Sequence, residues 1–164
     1  MFETILVAIG ANLPSVFGRS ARETCDWAAG QLAVLPGLRL RAQSRWFETR
    51  PIPESDQPSF INGAAWLSGP ADPAMLLTAL HGIEASAGRS RSVANAARTL
   101  DLDLLAMDGL VQDGPPILPH PRLQDRAFVL WPIADICPDW RHPVLGLNLS
   151  DMLRRVAGQT IQAL

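Results

Sequence analysis

The chain has 164 residues, 48% of them hydrophobic, with a formal net charge of −2 and a pI near 5.9. That composition excludes intrinsic disorder and leaves no overall basic field for non-specific binding to nucleic acid or anionic membrane. All 14 cationic residues are arginine, so a phosphate loop of the G-x-x-x-x-G-K-[ST] kind and a lysine Schiff base are both excluded, and any phosphate must be held by guanidinium forks.

"MFETILVAIGA" opens the chain as a nearly continuous apolar run. It reads as a buried strand and, lacking a basic start and carrying Glu3, not as a signal peptide. Ala21, Cys25, Ala28, Leu32 and Leu35 recur at helical spacing until Pro36-Gly37 ends the pattern. "LRLRAQSRWFET" sets Leu38, Leu40 and Ala42 against Arg39, Arg41 and Gln43, as one half-buried strand does. "RPIPESDQPS" is loop, and "FINGAAWL" is the next strand. Asp72 as N-cap and Pro73 at the first helical position start a second helix, whose apolar stripe is Leu76, Leu80, Ile83 and Ala87 and whose terminator is Gly88. "RSRSVANAA" is loop and "RTLDLDLLAM" is strand. A proline-rich stretch then leads to a short helix near Gln124–Ile136 and a last helix from about Ser150 onward.

The order strand, helix, strand, strand, helix, strand predicts an α+β fold. The expected architecture is a ferredoxin-like βαββαβ sandwich, an antiparallel sheet with its helices on one face, plus additional C-terminal helices. We expect a single domain over residues 1–164, no apolar run long enough to span a bilayer, and a cytoplasmic location. Cys25 and Cys137 are too few for a disulfide scaffold and read as reduced thiols.

Asp101 and Asp103 stand out in "RTLDLDLLAMDG". Carboxylates are disfavoured in strands. In an extended chain these two share a face, with Cα atoms ~6.6 Å apart, while Leu100, Leu102 and Leu104 face the other way. Two like charges on one face call for a cation. Two Mg²⁺ ions bridged to phosphate oxygens would serve, and so would a solvated face paired to arginine. The neighbourhood adds Arg89, Arg91 and Arg98 before the pair and His120, Arg122 and Arg126 after it, a set suited to a polyphosphate. On the earlier strand Phe60 and Asn62 share a face. An aromatic surface beside an amide that both donates and accepts suits a flat heterocycle.

Four segments together resemble the 6-hydroxymethyl-7,8-dihydropterin pyrophosphokinase family: "VAIGANL", with its Gly-x-Asn turn, "SRWFETRPIPESDQPSFINGAAWL", "GRSRSVANAARTLDLDLL" and "LPHPRLQDRAFVLWPIADICPDWRHP". The resemblance implies transfer of the β,γ-diphosphoryl group of ATP to the pterin hydroxymethyl, releasing AMP, by a βαββαβ enzyme that acts as a monomer. It implies that Asp101 and Asp103 hold two Mg²⁺ ions and that, with Arg89 and Arg98, they form the catalytic set. It implies ATP binding by Glu84, Arg91, Arg98, His120 and Arg126. Pterin binding falls to Phe60 and Phe128 on its faces and Asn62 at its edge, with Thr49, Pro51 and Ile52 beside it. The loop at 89–98 is expected to close over both substrates. The chain departs from the family at Val93-Ala94-Asn95-Ala96, where some members carry a tryptophan, at Ala97, where proline is expected, and at Arg50, often proline. Two rival readings are another Asp-x-Asp nucleotide transferase and a non-catalytic ferredoxin-like ligand- or RNA-binding module.

Overall fold

The computed structural model describes residues 1–12, 18–50, 59–88 and 99–164. Its strands are β1 (Phe2–Ala11), β2 (Arg39–Gln43), β3 (Phe47–Thr49), β4 (Phe60–Gly69), β5 (Asp101–Met107) and β6 (Gln162–Ala163). The helices are α1 (Ala21–Ala33), α2 (Pro73–Ser86), α3 (Ala127–Ile136) and α4 (Leu149–Arg155), with a 3₁₀ turn at Leu123–Asp125. The strands form one sheet in the order β5-β1-β4-β3-β6, with β2 also paired to β4, and each of the pairings is antiparallel.

The local signals explain most element starts. Ser20 and Glu23 close a reciprocal capping box at α1, each side chain accepting the other's backbone N–H at 3.1 Å. Asp72 accepts from Met75 N–H at 3.0 Å, and Pro73 occupies the first position of α2. Asn148 caps α4 through Asp151 N–H at 2.8 Å.

Both faces of the sheet are covered. Val7, Ile9, Leu67, Leu102 and Leu104 pack with Cys25, Ala28 and Leu32 of α1 and Leu76, Leu80 and Ile83 of α2. Leu6, Leu105 and Ala106 pack on the opposite face with Leu130 and Ile133 of α3 and Met152 of α4. The expected single helical layer is therefore joined by a second one, supplied by the C-terminal helices. Among the described residues no helix is long and apolar enough to cross a membrane. Cys25 and Cys137 are both free thiols, and burial pushes Cys25 up to about 12.

Three boundaries differ from the sequence reading. The strand expected over "LRLRAQSRWFET" is two strands, β2 and β3, broken at Ser44–Trp46. Ser44 explains the break: its hydroxyl accepts from Ala64 N–H at 2.9 Å and donates to the Arg45 carbonyl at 2.7 Å. Trp46 then packs its ring against Gly63, with its indole N–H donating to Asp26 of α1 at 2.8 Å. The helix expected near Gln124–Ile136 is a 3₁₀ turn followed by α3, with Pro132 inside α3. The last helix stops at Arg155, and the tail returns to the sheet as β6, paired to β3.

Trp46 leaves no room for a side chain at position 63, because a Cβ there would sit 2.4 Å from the indole ring. The ring is fixed by its hydrogen bond and cannot yield cheaply. Gly63→Ala is expected to destabilise the fold by about 1–3 kcal/mol through overpacking, read as a lower urea midpoint at unchanged m-value.

Candidate functional site

The register across β5, β1 and β4 builds the site. Gly10 of β1 is paired with Asp101 on one side and with Asn62 on the other, and Asn62 is paired in turn with Phe47 of β3. One step along, Ala8 is paired with Asp103 and with Ala64. Directly paired residues in antiparallel strands point to the same face. Asp101, Asp103, Asn62 and, by alternation, Phe60 therefore share the face that carries α3, while Leu102 between the aspartates enters the α1/α2 core.

A bulge separates this carboxylate segment from the packed part of the same face. Leu6 pairs with Ala106 and Val7 with Leu104, leaving Leu105 as the extra residue. Leu105 and Ala106 consequently both enter the α3/α4 core. Beyond the bulge the floor is Ala8 and Gly10, with little side chain to fill the space between the aspartates and Asn62. A Cβ at Gly10 would stand 3.0 Å from the Asn62 side-chain oxygen. The glycine lets that amide lie down over β1. Gly10 lies within β1, as the reading of the opening apolar run as a strand expects, and Asn12 is the first residue beyond the strand. A glycine inside a strand pattern signals such a close approach.

Asn62 is buried, and its amide donates to the Thr49 hydroxyl at 3.0 Å. Thr49 is paired with Phe60, so Thr49, Phe60 and Asn62 form one corner of the site. Phe128, half-buried near the start of α3, packs with the cluster on this same face, and the Arg126 guanidinium lies 5.5 Å from its ring centroid.

His120 links the aspartates to this arginine. Its backbone N–H donates to the Leu105 carbonyl at 2.8 Å, bringing the chain back beside the bulge. Burial lowers the His120 pKa, the Arg126 charge lowers it further, Asp101 opposes them, and Arg122 adds a smaller downward push. The imidazole is thus held mainly neutral at pH 7 among three charged groups. Its Nδ1 accepts from Arg122 N–H at 3.2 Å, so the neutral ring keeps its proton on Nε2 and can donate to a ligand without adding a full charge.

Glu84 occupies a different place from His120 and Arg126, the other expected ATP-binding residues among those described. It is buried between α2 and β5, where its carboxylate accepts from Leu102 N–H at 2.9 Å. It therefore satisfies an outward-facing amide of the edge strand, midway between the two aspartates. Arg89, Arg91, Arg98, Pro51 and Ile52, with the expected lid loop, lie outside the described residues. A separate cleft at the far end of β5 is lined by Asp108, Cys137, Trp140 and His142. There His142 Nδ1 is committed to the backbone N–H groups of Val144 and Leu145.

Among the described residues no group of three or more His, Cys, Asp or Glu side chains is placed to hold a metal. The donor set at Asp101 and Asp103 is two carboxylates, which is what Mg²⁺ takes from a protein when nucleotide phosphates and water complete its shell.

Comparison with known proteins shows the family to which the chain is similar. Residues 6–138 match the family described as 7,8-dihydro-6-hydroxymethylpterin-pyrophosphokinase. A Pseudomonas aeruginosa protein named 2-amino-4-hydroxy-6-hydroxymethyldihydropteridine pyrophosphokinase is 38% identical, covering 100% of this chain and 98% of its own length. A Bacillus subtilis protein of the same name is 39% identical, covering 80% of this chain and 76% of its own. A Plasmodium falciparum HPPK-DHPS crystal structure superposes with a TM-score of 0.70 at 12% identity, covering 96% of this chain. At that identity the likeness concerns the fold alone, and this chain spans 45% of the Plasmodium one.

The His120 environment gives a direct test of the geometry. In a proton NMR titration His120 is expected to titrate below 6.5, because its neutral form is the one favoured by the fold. Asp101→Asn removes an influence that raises the value, so the midpoint should fall further. An unmoved midpoint would show that the two groups do not sense each other.

Proposed function

The chain belongs to the 7,8-dihydro-6-hydroxymethylpterin-pyrophosphokinase family, and from that membership we propose how its residues divide the work. It is a pyrophosphokinase of folate biosynthesis. ATP and the hydroxymethyl dihydropterin are its substrates, and AMP and the pterin diphosphate its products. The other two readings, a different Asp-x-Asp transferase and a non-catalytic module, are not favoured by this family match.

The observation that carries the assignment of roles is the shared row of Asp101, Gly10 and Asn62. It sets metal-type carboxylates and a heterocycle-reading amide side by side on one sheet face. Asp101 and Asp103 are the residues that would hold two Mg²⁺ ions with the triphosphate. When bound, the metal neutralises phosphate charge and makes the phosphorus more electrophilic. Arg126 and His120 take the nucleotide beside the aspartates. Phe60 and Phe128 take the two faces of the pterin, and Asn62, oriented by Thr49, reads its edge. Arg89, Arg91, Arg98, Pro51 and Ile52 join these roles on the strength of the sequence pattern alone.

In this arrangement the pterin hydroxymethyl oxygen attacks the β-phosphorus of ATP. A new O–Pβ bond forms, the bond from Pβ to the α,β-bridging oxygen breaks, and AMP departs with that oxygen. The hydroxyl proton leaves to solvent. Little covalent work falls to the protein, so positioning and charge stabilisation supply most of the rate. Neutral His120 suits this task, since the site holds its cations where phosphate lies.

Two finer points belong to the same proposal. We read the core as a ferredoxin-like βαββαβ unit with β2 and β3 as one interrupted strand; the sheet order β5-β1-β4 followed by that strand supports it. We also take the enzyme to be a monomer of the cytoplasm with small-molecule substrates only, a reading that the slight net charge of −2 supports against a nucleic-acid partner.

The test is nucleotide analysis after incubation with ATP, Mg²⁺ and the dihydropterin. AMP should accumulate only with the pterin present. ADP, or no nucleotide product, would refute the reaction. Asp103→Ala should lower kcat/KM by about a thousandfold, roughly 4 kcal/mol. Phe128→Ala should raise the pterin KM with a much smaller effect on the ATP KM.

A further inference from the structure

We propose that Gln159, in the tail after α4, is a positioning residue that holds Arg126 and Phe128 in place for substrate binding. The inference rests on the roles given to those two residues above.

The start of α3 lacks an ordinary cap. Arg126 stands at the N-cap position with extended backbone (φ −125, ψ 109) and makes no capping hydrogen bond. Ser, Thr, Asp or Asn would normally stand there and accept from an early helical N–H. A cation there also opposes the helix dipole. The unmet donor is supplied with a partner from 32 residues further along the chain: the Gln159 side-chain oxygen accepts from Ala127 N–H at 2.9 Å. The same amide donates from its nitrogen to the Asp125 carbonyl at 2.8 Å. One side chain thus grips the backbone on both sides of Arg126, fixing where that residue leaves the chain. Phe128 follows within the same first turn.

The tail is itself anchored, so the grip has something to pull against. Val156 is buried in the α3/α4 core, and Ile161 packs with the cluster that also takes Phe128. Beyond it β6 pairs with Phe47 and Glu48 of β3, and Leu164 N–H donates to the Trp46 carbonyl at 3.0 Å. Strand β3 ends at Thr49, whose hydroxyl accepts from the Asn62 amide. The tail therefore ties the helix that presents Arg126 and Phe128 to the strand that presents Thr49. Gln159 is exposed and adds little to the core, so its loss should be felt in the position of these groups more than in folding.

The experiment compares the full-length enzyme with Gln159→Ala, Gln159→Met, Gln162→Ala, Arg126→Ala and Phe128→Ala, in steady-state kinetics for both substrates and in thermal unfolding. Both Gln159 variants should raise the KM for ATP and for the pterin about three- to tenfold, the scale of one or two hydrogen bonds. Their kcat and Tm should stay near wild type, and Gln162→Ala, in the same tail, should change neither KM. Unchanged KM values in the Gln159 variants, with Arg126→Ala and Phe128→Ala still impaired, would overturn the clamp and leave the site reading intact. A lower Tm and kcat with KM unchanged would mark a merely structural brace and also overturn it. Unimpaired Arg126→Ala and Phe128→Ala would overturn the site reading and the clamp with it.

Discussion

Gly10 sits between Asp101 and Asn62 in one row of the sheet, and the rest of the site depends on that row. Antiparallel pairing has a period of two, so a slip of one residue between β1 and β5 would turn both aspartates into the α1/α2 core. It would also expose Leu102 and Leu104, which are now buried. The hydrophobic pattern of β5 therefore enforces the position of its carboxylates: the leucines choose the core face, and the aspartates must take the other. The bulge at Leu105 lets the strand return to two-sided packing once the carboxylate segment has passed.

The surroundings of that row show what a functional site costs a fold and how the cost is met. Glu84 is a buried carboxylate, tolerated because it accepts the Leu102 N–H that the edge strand would otherwise leave unpaired. Asn62 is a buried amide, bound to the Thr49 hydroxyl. Arg126 takes a position where a small capping residue would serve the helix better, and a glutamine from the tail covers the deficit. At each place a polar residue departs from local preference, and a partner distant in the chain supplies the missing hydrogen bond. Such departures mark functional positions more sharply than the well-formed caps of α1, α2 and α4 do.

Helix α2 was legible to its cap because its determinants are local: Asp72, Pro73 and a stripe at 3.6-residue spacing. The aspartate strand was legible too, since alternation of leucine and aspartate has one meaning in an extended chain. The strand drawn over residues 38–49 was not. Its break at Ser44 depends on Ala64, and the placement of Trp46 depends on Gly63 and Asp26, none of them near in sequence. The tail was misread for a similar reason. Helical spacing does continue past Arg155, but backbone groups of β3 offer the last residues a better partner than another helical turn would.

By itself, the sequence determined the chemistry: which carboxylates, arginines, aromatics and amide are available, which of them share a strand face, and which family the chain resembles. Local spacing and side-chain type suffice for that, because they operate over a few residues. The tertiary structure alone decided which groups meet. It brought His120 under the influence of Asp101 and Arg126, laid Asn62 over Gly10, buried Glu84 against Leu102, and returned the tail to the start of α3. Those contacts join residues far apart along the chain, and only the packing of both sheet faces brings them within hydrogen-bonding reach.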